Sequence, residues 1–196
     1  MNKNRLEAFS DGVLAIIITI MVLEIRVPHG SDWSVLQPLL PTLVSYILSF
    51  TFIGICWVNH HHLLHALKKV TTGILWANIN LLFWLSLIPF ATGWMGESRF
   101  AANTVSLYGA LLLGCGVAFT ILQYKVEKNM YELKGLKTAF RNLKVKGIAS
   151  TIGYISAIPL AYVNPIISGV IFLAISVMWL APDRNIAKAL SGEREG

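Results

Sequence analysis

Long apolar runs constrain this chain more than any other feature. The interior of a bilayer offers no hydrogen-bond partners, so a segment that crosses it must satisfy its own backbone, as a helix or as part of a closed barrel. A spanning helix needs about 20 predominantly apolar residues. Six stretches of this kind can be marked, at about 8–27, 38–62, 71–94, 103–125, 146–162 and 165–181. The expected fold is therefore all-α: a polytopic membrane protein with six transmembrane helices, forming one domain over residues 1–196. Composition agrees. Only 13% of the residues are charged, against roughly 25% in a soluble domain, and the mean hydropathy is +0.63. Cys56 and Cys115 lie in apolar runs and read as small buried hydrophobes rather than a disulfide or a metal pair.

The runs have punctuation. Pro28 stops the first, Pro38 and Pro41 open the second, Pro89 marks a kink in the third, and Val163-Asn164-Pro165 joins the last two as a tight hairpin. The first run lacks a small-residue cleavage site and continues into Glu24-Ile25-Arg26, so it is expected to remain as a helix rather than be removed as a signal peptide.

The net charge of +6 is distributed unevenly. With the N-terminus inside, the inner segments carry Lys3, Arg5, Lys68, Lys69, seven basic residues at 125–146, and Arg184, Lys188 and Arg194, while the outer loops carry only Arg26 and Arg99. Cytoplasmic loops are the ones enriched in Lys and Arg. The bias places the chain in the cell membrane with both termini cytoplasmic, and it requires an even number of helices. The basic charge thus reads as an orientation signal, and no nucleic-acid partner is expected. The 125–146 connector fits two forms, a short amphipathic helix on the inner surface or a solvated basic loop.

The first helix carries the candidate functional residues. Stepping about 100° per residue from Ile16 places Ile20, Leu23, Val27, Gly12, Phe9 and Arg5 within about 40° of it, with Thr19 at about −60° on the flank. Asp11 falls at about −140° and Ser10 at about 120°, away from this stripe. Two roles fit the stripe. It can be bundle core or lipid contact, or it can line a narrow hydrophobic pore that gates by constriction and dewetting. An ionisable residue within a membrane helix is expensive to bury and marks a functional-site candidate. Asp11 and Ser10 have possible partners at similar depth: Trp57, Asn59, His60, His61 and His62 on the second helix, and Trp76 and Asn78 on the third. A polar network of Arg5, Ser10, Asp11, Asn59, Asn78 and one of the histidines would hold the first helix in place.

Other motifs carry less. His61 and His65 stand four residues apart, as a metal pair can, but no His-Glu-x-x-His is present and the nearest acid, Asp11, is on another helix; no metal is expected. Thr151-Ile152-Gly153-Tyr154-Ile155 looks like a potassium-channel filter but lacks the final glycine and lies inside a spanning run. No phosphate loop, nucleophile elbow or catalytic carboxylate pair appears, and the chain is not expected to be an enzyme.

Arg5-x-x-x-Phe9-Ser10-Asp11 followed by Ile16-Ile17-Ile18-Thr19-Ile20-Met21 resembles the signature of the endolysosomal potassium channel family (transmembrane protein 175), in its prokaryotic branch. Trp57-x-Asn59-His60-His61 and Trp76-x-Asn78 are similar to the family's second and third helices, and the resemblance extends over the whole chain. It implies a potassium-permeable cation channel without a carbonyl filter, assembled as a homotetramer with its pore lined by the first helix. The constriction would be Ile16, Ile20 and Leu23, with Thr19 associated with potassium preference. Phe9, Ser10 and Asp11 would bond to polar groups of helices two and three. Potassium would be the permeant ion, and no cofactor is implied. Two rivals remain: a proton-coupled secondary transporter using Asp11 and the His60–His62 cluster, and a metal-dependent membrane enzyme built on His61, His65 and Asp11.

Overall fold

The computed structural model describes residues 2–130 and 136–180, without the side chains of 136–139. Pro182, Arg184, Lys188 and Arg194 lie outside the described residues. Helix follows helix: α1 Lys3–Leu23, a 3₁₀ segment Trp33–Leu39, α2 Leu40–His65, α3 Thr72–Ser86, α4 Ile88–Glu97, α5 Ala102–Glu127, α6 Leu136–Leu160 and α7 Pro165–Leu180. Among the described residues there is no strand, only an isolated bridge between Leu67 and Met130. Local chemistry starts the helices where they start. The Asn2 side chain accepts from the Arg5 amide and Thr71 from the Ile74 amide, each satisfying one of the first-turn donors that a helix leaves open. Pro41 and Pro89 sit at the first positions of α2 and α4, where no amide hydrogen is needed.

Among the described residues, four helical stretches are long and apolar enough to cross a membrane: Lys3–Leu23, Trp33–His65, Thr72–Glu97 and Ala102–Glu127. The third is α3 and α4 together, broken at Leu87. Pro89 cannot supply the hydrogen bond to the Leu85 carbonyl, so the kink expected from the sequence is a true interruption. α7 has 16 residues and rises about 24 Å, short of a hydrocarbon core of about 30 Å.

Boundaries moved in two informative places. α1 ends at Leu23 rather than Val27. Residues before a proline avoid the helical region, and the Arg26 guanidinium leaves the helix to pair with Glu97 at 3.0 Å. The basic connector is neither a free loop nor a separate surface helix over its second half. α6 begins at Leu136, and its opening turns already carry Arg141, Lys144 and Lys146, with Lys144 paired to Glu127 of α5 at 2.8 Å.

α5 is the central element. Leu112, Cys115, Ala118, Leu122 and Val126 are buried along it, and Tyr108 is enclosed against Phe172 of α7. Both cysteines are free. Two glycines permit the closest helix approaches. A Cβ on Gly96 would stand 2.6 Å from the Thr42 Cα and the Ser45 Oγ, so α4 can lie against α2 only with hydrogen at that position. A Cβ on Gly114 would likewise meet the Trp84 ring.

Gly96→Ala is expected to destabilise the bundle by about 1–3 kcal/mol through overpacking against backbone. Gly169→Ala, where an added Cβ meets nothing within 4 Å, should be neutral or stabilising by about 0.5–1 kcal/mol. Thermal melts of the two variants in detergent give the order, and a Gly96→Ala protein as stable as wild type would contradict the close contact.

Candidate functional site

α1 has two unlike faces. Leu6, Ser10, Leu14, Ile17 and Met21 recur every three to four residues and are buried against α2, α3 and α4. The opposite side carries Phe9 (56% exposed), Ile16 (58%), Ile20 (42%) and Leu23 (79%). This apolar stripe is left largely exposed by the described chain. Thr19 is exposed beside it and donates its hydroxyl proton to the Ile16 carbonyl at 2.9 Å. That bond uses the donor and leaves the hydroxyl oxygen as an outward acceptor. A groove of ≈ 720 Å³ runs along the stripe between Ile16, Ile20 and the Pro89, Phe90 and Trp94 side of α3–α4.

The buried face is held by a directed chain of hydrogen bonds. Ser10 Oγ donates to the Leu6 carbonyl at 2.9 Å, Asn78 Nδ2 donates to Ser10 Oγ at 2.9 Å, and His60 Nε2 bonds to Asn78 Oδ1 at 2.7 Å. Because Asn78 Oδ1 can only accept, His60 Nε2 carries the proton. Ser10, Asn78 and His60 are all buried. One amide thereby connects α1, α2 and α3. Asp11 is tied separately: Trp57 Nε1 donates to its Oδ1 at 2.8 Å, at an exposed site on the flank of α1.

The polar network expected from the sequence is thus two smaller units. His60 is the histidine that takes part. Asn59 turns back on its own helix, donating to the Ile55 carbonyl at 2.8 Å. Arg5 and Phe9 are exposed, and so is Trp76. His61 is exposed and lies beside Trp57 and His65 instead of Asn78.

A second polar cluster escaped the sequence reading. Tyr108 and Ser49 lie 3.0 Å apart, and Thr92 Oγ1 is 2.7 Å from both Ser49 Oγ and the Ile88 carbonyl. Tyr108 donating to Ser49, Ser49 to Thr92 and Thr92 to Ile88 satisfies all three hydroxyls. Thr92 also touches the Met21 sulfur at 4.0 Å, so the cluster reaches the far end of α1. Its only signal in the sequence is three lone hydroxyls in apolar runs, far apart along the chain.

Asn78→Leu should cost more than Ser10→Ala. It strands both the His60 donor and the Ser10 acceptor, at about 1–3 kcal/mol for a buried polar group left unpaired, whereas Ser10→Ala strands only an amide proton. Thermal melting or detergent-titrated unfolding ranks the two, and equal stability would show that the Asn78 bridge carries no weight.

Comparison with known proteins follows this geometry. The family model for the endosomal/lysosomal potassium channel TMEM175 matches residues 5–89, which contain α1 from Arg5 onward, α2, α3 and the whole Ser10–Asn78–His60 chain. A protein of Gallus gallus named an endosomal/lysosomal proton channel TMEM175 is 32% identical over 140 residues, 64% of this chain but only 28% of that one. The crystal structure of a lysosomal potassium-selective channel TMEM175 homolog from Chamaesiphon minutus superposes with a TM-score of 0.76, covering 91% of this chain and 96% of that one at 23% identity, a likeness of fold. A potassium channel of a Chryseobacterium species is 50% identical over 190 residues, 97% of this chain and 98% of the relative. With half its residues shared across nearly the full length of both chains, the protein belongs to the TMEM175 family.

Proposed function

We propose that this chain is a potassium-permeable cation channel, formed by four copies around a pore lined by α1. The observation that carries the proposal is the division of α1 into a fully packed face and an exposed aliphatic stripe, Ile16, Ile20 and Leu23. A helix held this firmly on one side presents its other side to something outside the chain. The potassium channel name of the Chryseobacterium relative and the crystallised Chamaesiphon homolog support an ion path there. The chain is not an enzyme; channel names attach to the family and its relatives. In this reading residues 1–196 act as one channel unit in the cell membrane with both termini cytoplasmic, an orientation that the bias of Lys and Arg supports.

Rings of four isoleucines strip water from an ion without replacing its shell, so the constriction opposes passage by dewetting. Thr19, one helical step from Ile20 with an outward oxygen acceptor, is the group that favours potassium. Ser10, Asn78 and His60, together with Asp11 and Trp57, hold α1 at the radius this mechanism needs. Potassium is the permeant, and no cofactor takes part.

A second reading has one observation behind it. The Gallus relative is named a proton channel, and Asp11 with His60–His62 places titratable groups at one end of α1. Proton movement, as a conductance or coupled to a second solute, would appear as flux driven by a proton gradient alone.

Potassium flux into vesicles reconstituted with pure protein tests the main reading. Ile16→Asn should raise the leak and reduce potassium preference, because a polar ring rehydrates the constriction. Wild-type bi-ionic reversal potentials should show potassium over sodium selectivity weaker than a backbone-carbonyl filter gives. Flux untouched by Ile16→Asn removes this residue from the pore, and carbonyl-grade selectivity removes the mechanism.

A further inference from the structure

We propose that His61 and His65 form a binding site for a divalent transition-metal ion of the Cu2+, Ni2+ and Zn2+ class, at the C-terminal end of α2. The site is independent of whether the chain conducts ions.

α2 continues through His65, so the two histidines stand one turn apart on one face. Both are exposed, and their ring centroids are 4.7 Å apart. An imidazole nitrogen binds these ions at about 2.0–2.1 Å, which places each ring centroid about 3.2 Å from the metal and two tetrahedrally disposed rings about 5 Å apart. The observed spacing is about half an ångström shorter than that, so the rings stand close enough to share an ion once rotation of the two side chains turns a nitrogen of each toward it.

The neighbouring histidines are placed differently. His60 is buried and already bonded to Asn78. His62 is half-buried, with its ring edge-on to His61 at 5.9 Å. Charges of both signs lie near the pair. Lys3 Nζ bonds the His65 carbonyl oxygen at 3.0 Å and brings a positive charge close. Glu7, one turn along α1, opposes it in part, and its Oε1 is buried with no hydrogen-bond partner among the described residues.

No third histidine, cysteine or carboxylate is arranged with the pair among the described residues. Water therefore fills the remaining positions, and the site is an open, exchangeable one rather than a closed structural site. Imidazole ligands select Cu2+, Ni2+ and Zn2+ over the hard cations Mg2+ and Ca2+. Location gives the site a reach beyond its ligands. The His61 ring lies 6.3 Å from that of Trp57, whose indole holds Asp11 of α1. A bound ion would sit beside that tether and clamp the last turn of α2.

Full-length protein purified without a polyhistidine tag, titrated with Cu2+, Ni2+ or Zn2+ alone, tests the proposal by calorimetry and by quenching of Trp57 fluorescence with Cu2+. Affinity should follow Cu2+ above Ni2+ and Zn2+, with Mg2+ inert. His61→Ala and His65→Ala should each weaken Cu2+ binding by roughly a hundredfold, because the second ligand loses its effective concentration. His62→Ala and His29→Ala should bind as wild type, and Trp57→Phe should keep the calorimetric signal while losing most of the quench. Melting curves of each variant show that it is folded. Wild-type protein that binds no Cu2+, or binding that survives His61→Ala and His65→Ala in folded protein, overturns the site.

Discussion

A membrane helix cannot be held by hydrophobicity alone, because lipid is as apolar as the bundle it surrounds. Here three helices, α1 among them, meet at a single carboxamide. Asn78 gives a hydrogen to Ser10 of α1 and receives one from His60 of α2 while itself belonging to α3. The order of donors and acceptors is forced at every step, from His60 through Asn78 and Ser10 to the Leu6 carbonyl. Such a chain has only one arrangement that leaves nothing buried and unpaired, which converts three sliding helices into one register. The packing of Leu6, Leu14, Ile17 and Met21 then follows, since each returns to the same side of α1 as Ser10.

That register decides what faces outward. Once Ser10 is fixed inward, helical geometry turns Ile16, Ile20 and Leu23 away from it by about 80° to 140°. The exposed stripe and the buried amide are two consequences of one rotation of α1. Thr19 lies at the edge of the stripe because it is one step further round the helix, and its hydroxyl is oriented by the Ile16 carbonyl.

Much of this was legible in the sequence, for a simple reason. A period of 3.6 residues converts a string into a map of faces, and α1 is regular from Lys3 to Leu23. The stripe, the inward Ser10 and the kink at Pro89 all come from local rules. What was not legible is non-local. Which histidine meets Asn78 depends on the rotation of α2 relative to α3, and three adjacent histidines sample most of the circle. Asn59 had a competing partner in its own backbone, the Ile55 carbonyl, which residue type alone does not reveal. Val27 belonged to the stripe only if the helix outran Pro28, and the Arg26–Glu97 pair draws the chain elsewhere. The Ser49–Thr92–Tyr108 cluster joins residues from three runs, with no spacing to announce it.

The break between α3 and α4 has a mechanical consequence. α3 grips the first half of α1 through Asn78, whereas α4 reaches its second half through Thr92 and Met21. A continuous rod would make those two grips a single lever, so that tilting one end of α1 would force the other. With the helix interrupted at Leu87, the two ends of α1 are held by two separate helices. Neither grip therefore fixes the other through a shared helical backbone.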